Sequence, residues 1–181
     1  MKKTQSIWVI LAMLFTVLSI ASCDDNEPIP DWPIPNELVY NEQVFELSHG
    51  IVKDWNEVNN DAGDYDIALF TEGITINEAG QPENEGTIMY FNLNSFSANS
   101  LEDGKYVWSA ERMPGTVTES ALVVNFSDAL SIPQPGVQMK EVTLHVKQDN
   151  GEFTINFILK TEDDETVTGS YVGPLTQLTE D

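Results

Sequence analysis

The stretch Val142–Lys160, "VTLHVKQDNGEFTINFILK", decides how the rest of the chain is read. Phe153, Ile155, Phe157 and Leu159 alternate with Thr154, Asn156, Ile158 and Lys160, and Val142, Leu144 and Val146 alternate with Thr143, His145 and Lys147. A period of two places one set of side chains in a core and the other on an outer face. Between the runs stands Gln148-Asp149-Asn150-Gly151. Asp, Asn and Gly tolerate positive φ, so the segment predicts a β-hairpin with a tight turn. A second polar connection, "TEDDE", leads to "TVTGSYVG", which predicts a third strand with Val167 and Tyr171 on one face.

The same alternation extends upstream. Phe45, Leu47, Ile51 and Trp55 share a parity, as do Tyr65, Ile67 and Leu69. Met89, Phe91 and Leu93 form another set, with Ile88 and Tyr90 making the opposite face partly apolar. Leu122, Val124 and Phe126 add one more, and parity assigns Tyr106 and Trp108 to the core. No window shows the stripe of an amphipathic helix. The expectation is an all-β domain over residues 38–181: an antiparallel meander of about eight or nine strands, folded as a sandwich or closed as a calycin-like barrel. Periodicity does not separate those two.

The chain carries 30 acidic against 8 basic residues, a formal net charge of −22. Such a surface repels nucleic acid and anionic membrane, which excludes nucleic acid as a partner.

The amino terminus has a different character. Lys2 and Lys3 precede an uncharged run from Ile7 to Ile20. As a helix the run would reach roughly 21 Å at about 1.5 Å per residue, short of the roughly 30 Å of a bilayer core. A positive start, a short apolar stretch and small residues at its end describe a secretory leader over residues 1–22. Ile20-Ala21-Ser22-Cys23 resembles the lipobox of bacterial lipoproteins, with Ile20 where most members carry leucine. The resemblance implies cleavage before Cys23 and lipidation of its thiol. Loss of Lys2 and Lys3 would then remove two positive charges and no acid. Cys23 is the chain's one cysteine, so no disulfide supports the fold.

The acids of Asp24-Asp25-Asn26-Glu27 resemble the surface-export signals of Bacteroidetes-type lipoproteins; in other bacterial groups an acid in this place marks inner-membrane retention. Pro28, Pro30, Pro33 and Pro35 stiffen the segment beyond them. Residues 23–37 thus read as an acidic, proline-rich tether, of which residues 24–36 would reach roughly 40 Å at about 3.1 Å per residue. Trp32 lies within it. The C-terminal "TVTGSYVGPL" after "GEFTINF" resembles the endings of small all-β, including lipocalin-like, lipoproteins. These resemblances imply an outer-membrane, lipid-anchored and surface-exposed protein.

Catalytic signatures are missing. His49 and His145 lie on separate strands, no Cys–His set has zinc spacing, and neither a G-x-S-x-G elbow nor a Gly-rich phosphate loop occurs. The densest polar cluster is "KDWNEVNNDAGDYD". Oxygen-rich loops with a glycine can wrap calcium, which makes Asp54, Asn59, Asp61 and Asp64 candidate ligands. Gly63 falls where an EF-hand needs an oxygen, so that motif does not apply. Trp55 beside this loop, with Asp61 and Asp64, is the candidate ligand-binding group, because an exposed indole offers a stacking face.

The chain therefore reads as a non-catalytic, lipid-anchored cell-envelope module that binds a glycan or an outer-membrane protein partner. Two alternatives stand beside it. One is a lipocalin-like barrel holding a small apolar ligand among Phe91, Phe157 and Tyr171. The other is an all-β hydrolase built on a facing carboxylate pair.

Overall fold

The computed structural model describes residues 34–129 and 136–178. The leader, Cys23, Trp32 and nearly all of the tether lie outside the described residues. Twelve strands succeed one another: β1 (Glu37–Tyr40), β2 (Gln43–Asn59), β3 (Ala62–Thr71), β4 (Thr75–Ile76), β5 (Pro82–Glu83), β6 (Glu85–Asn94), β7 (Gly104–Trp108), β8 (Thr116–Ser127), β9 (Val137–Asp149), β10 (Glu152–Thr161), β11 (Thr166–Gly173) and β12 (Leu175–Leu178). No helix occurs among the described residues.

Nine of these strands close into a barrel in the order β1-β11-β10-β9-β7-β8-β6-β3-β2, with β2 returning to β1. Closure answers the question that periodicity left open. It also removes most of the exposed edges that an open sheet would present. The Val142–Lys160 hairpin forms as read: Glu152 pairs with Asp149, and Asn150 and Gly151 take the two positive φ values of a type I′ turn, 51° and 86°.

The meander is broken in two places. Strand β7 runs parallel to β8 and is inserted between β8 and β9. Beyond it, Ala121 and Leu122 pair directly with Gln138 and Val137. Strand β12 runs parallel to β2 along the edge that β1 leaves vacant after Glu37. The barrel is therefore mixed rather than purely antiparallel.

One large apolar cluster fills the inside, drawn from every barrel strand. Phe91 of β6 and Phe157 of β10 stand on opposite walls, since at least three strands separate them either way round. Their rings nevertheless meet edge to face with centroids 5.4 Å apart. The Phe157 ring is seated on Gly169 of β11, where an added Cβ would lie 2.1 Å from a ring carbon. At this level the barrel has no lumen; its wall-to-wall distance is filled by two phenyl rings, as in small barrels packed by their own side chains.

The parity expected for β2 fails at Ser48. The register with β3 slips between Leu47 and His49, and a slip of one residue exchanges the faces. Leu47 points inward, whereas Ile51 joins a second apolar cluster on the outer wall with Ala68, Phe70 and Ile88. The β4–β5 hairpin folds over that cluster and contributes Ile74 and Ile76. Trp55 shares the outer face with Ile51. Trp108 also departs from expectation: Tyr106 is fully buried, but Trp108 is exposed where β7 ends between its two neighbours.

Candidate functional site

Residues at every second position of β2, β3 and β6 face outward beyond the apolar patch, and there they are polar. Asp64 and Asp66 project from β3, Tyr90, Asn92 and Asn94 from β6, and Lys53 and Trp55 from β2. The carboxylates, amides, Tyr90 and Trp55 form one hydrogen-bonded network, and the Lys53 ammonium lies over the Trp55 ring. Trp55 Nε1 donates to Asp66 Oδ2 at 2.8 Å. The Tyr90 hydroxyl donates to Asp66 Oδ1 at 2.7 Å. Asn92 Nδ2 donates both to Asp66 Oδ1 at 2.9 Å and to Asp64 Oδ1 at 2.7 Å. Asn92 Oδ1 in turn accepts from the Thr118 hydroxyl of β8. Asp64 Oδ2 takes its remaining bond from the Arg112 guanidinium.

Burial explains why each partner is needed. Asp64 is 3 % exposed, and a carboxylate taken out of water is costly unless it is paired and hydrogen-bonded. Arg112 sits on the loop from β7 back to the start of β8. Asn60 Nδ2 donates to the Arg112 carbonyl at 2.8 Å, and Gly115 N donates to the Asn94 carbonyl at 2.8 Å, so the loop is tied to the wall at both flanks. The Tyr90 hydroxyl is held far above its ordinary pKa by burial first, then by its bond to Asp66 and the charges of Asp66, Glu119 and Asp64. It stays a neutral donor at any physiological pH.

Trp55 is the outcome of this arrangement. Its indole N–H is tied to Asp66, the Lys53 ammonium lies 3.3 Å from the ring centroid, and 39 % of the residue remains open to solvent. A partly exposed indole fixed at two points is a rigid platform with little ordering entropy left to lose on binding. The neighbouring Arg112 side chain is 43 % exposed and has donors beyond the one spent on Asp64.

Of the residues singled out from sequence, the structure brings Trp55 and Asp64 into this network and leaves Asp61 out. Asp61 occupies the β2–β3 turn with Asn60, at φ values of 67° and 51°, closed by the Asn59–Ala62 pair. The Asn- and Asp-rich composition of the loop is thus turn chemistry. The weak calcium candidates, set beside the favoured reading of a plain polar loop, are spread over different faces. Asp54 pairs across from the buried Tyr65, which shares the parity of the core residues Ile67 and Leu69, whereas Asp64 has the opposite parity and is committed to Arg112 and Asn92. Asp54, Asn59, Asp61 and Asp64 therefore do not converge. Among the described residues no group of three or more His, Cys, Asp and Glu side chains is placed to hold a metal ion.

Sequence reasoning gave no site role to Lys53, Asn92 or Arg112, placed Asp66 only within the polar cluster, and put Tyr90 on the outer face without a role. The available signal was the outer parity of β6, in which Tyr90, Asn92 and Asn94 stand at alternate positions. Arg112 gave none, because its role depends on a loop folding back across the wall. No protein-family model matches this chain, and no curated protein or solved structure matches it.

Proposed function

We propose that this protein is a non-catalytic, lipid-anchored module of the bacterial cell surface that binds glycan on the outer wall of its barrel, with Trp55 as the stacking platform. The single observation that carries the reading is the fixation of a solvent-exposed indole by Asp66 and Lys53. The C–H face of a sugar ring packs on such a surface, while Arg112 and the polar wall beside it supply hydrogen-bond donors for hydroxyls. The lipobox-like Ile20–Cys23, the acidic residues after it and the proline-rich tether support a location outside the cell. The carboxylates of Asp64 and Asp66 are saturated by Arg112, Asn92, Tyr90 and Trp55, which favours a binding role for this wall over hydrolysis. The Phe91–Phe157 contact across the axis counts against an apolar ligand carried inside.

The test is calorimetric titration of the full mature chain with a panel of purified bacterial, plant and host oligosaccharides, alongside Trp55→Ala. At least one oligosaccharide should bind, and the substitution should weaken it about tenfold or more, as truncation of a central aromatic contact does. A panel without a binder, or equal binding by Trp55→Ala, would refute the proposal.

A further inference from the structure

A second surface lies at the end of the barrel where β2 turns into β3, β6 runs into β7, and β7 returns to β8. Phe96 and Met113 in these connections, Val58 near the end of β2, and Val107 and Trp108 at the end of β7 are large, apolar and exposed. The connections are joined to one another. Gly63 N donates to the Ser97 carbonyl, Ser95 N to the Gly63 carbonyl, and Val107 N to the Gly115 carbonyl. The Phe96 ring lies against Gly104 and Gly115, where an added Cβ would come within 2.4 Å of it, and its centroid is 5.1 Å from that of Tyr106 in the core. Phe96 is therefore held in place, and the backbones of these segments are tied together. Around them stand five exposed acids, Glu57, Asp61, Glu102, Asp103 and Glu111, against two exposed bases, Lys105 and Arg112, so the rim is acidic on balance.

We infer that this end of the barrel docks a protein partner whose contact surface is apolar at its centre and fringed by lysine and arginine. An apolar centre containing Trp, Phe and Met inside a charged rim is the anatomy of a protein interface. The rim selects among possible occupants. An anionic lipid surface would meet these carboxylates as like charges. A second copy of this chain, joined about a two-fold axis, would set the acidic rims against each other. Val58, Val107 and Met113 make this surface largely aliphatic beside Phe96 and Trp108, which sets it apart from the polar wall around Trp55. A basic partner both neutralises the rim and accelerates encounter with a body of formal net charge −22.

The experiment is photocrosslinking in intact cells of the source organism, with a benzophenone amino acid in place of Val107 and, as a control, of Ile158 on the outer face of β10. An adduct at position 107 is expected, with a protein peptide containing apolar residues beside lysine or arginine. Met113→Ser, and separately Glu57→Lys combined with Glu111→Lys, should lower its yield about tenfold without moving the unfolding midpoint. These side chains are exposed, so the folded protein remains available for the comparison. Trp55→Ala should leave the adduct unchanged, which keeps this result separate from the glycan reading. An adduct to lipid or to a second copy of the chain, a yield no higher than at position 158, or a yield indifferent to charge reversal would overturn the inference.

Discussion

Phe91 and Phe157 meet edge to face across the axis of the barrel, 5.4 Å between centroids, and so the interior is a core rather than a compartment. Phe157→Ala should cost about 3–5 kcal/mol, the range for deleting a buried phenyl group whose surroundings relax only partly. Gly169→Ala should also destabilise, by about 1–3 kcal/mol, because its methyl group would enter the Phe157 ring. Urea unfolding followed by fluorescence measures both. A neutral result for Phe157→Ala would mean that the barrel holds space that these contacts do not show.

The chain's five tyrosines all have pKa values raised above the ordinary 10.0. Burial is the leading cause for Tyr65, Tyr90, Tyr106 and Tyr171, and the bond to Glu165 is the leading cause for Tyr40; Tyr65 and Tyr106 are each pushed up to about 12. The unfolded chain releases these protons near pH 10 and the native chain retains them. Stability from this source is thus complete below pH 10 and is lost as pH rises through the folded values. A titration at the tyrosinate absorption band should show little ionisation before the fold is lost, then a single steep step coincident with loss of near-ultraviolet dichroism. Gradual ionisation near pH 10 with the dichroism intact would contradict the burial assigned to these rings.

Asp64 and Arg112 form an asymmetric pair, one carboxylate buried and one guanidinium partly in water. Removing the arginine should therefore hurt more than removing the charge of its partner. Arg112→Ala leaves a buried carboxylate with Asn92 alone and should cost about 1–3 kcal/mol. Asp64→Asn should cost less, because the freed guanidinium can turn to solvent. Unfolding of the two single variants and the double variant closes the cycle, and a coupling near zero would remove the pair from the account of how the β7–β8 loop is held.

How much of this was legible in the sequence varies by element. The β9–β10 hairpin was, down to its turn, because period-two alternation and Asp-Asn-Gly act locally. The choice of barrel over sandwich was not, since it depends on β1 meeting both β2 and β11. The outward turn of Ile51 and Trp55 was hidden by an irregularity at Ser48 that no turn residue announces. Trp55 was picked for its position beside an acidic loop, whereas what fixes it is Asp66 and Lys53 on the wall. Long-range register and a returning loop assemble the site, and neither is written in local periodicity.

The proposed anchor makes a separate prediction. Mass spectrometry of the protein taken from its native membranes should show an N-terminal Cys23 carrying a diacylglyceryl thioether, and Cys23→Ser should release the protein from the membrane fraction, since two acyl chains are needed for stable attachment. An intact leader or a free thiol would contradict the anchoring.

The most direct measurement is a nitrogen–proton correlation spectrum of the indole N–H groups during titration with the oligosaccharide that binds most tightly. The Trp55 resonance, assigned by its disappearance in Trp55→Phe, should shift with the ligand, and the Trp108 resonance should stay in place. A shift at Trp108 in preference to Trp55, or movement of neither while heat of binding is recorded, would show that the glycan lies elsewhere and that the outer wall is not its site.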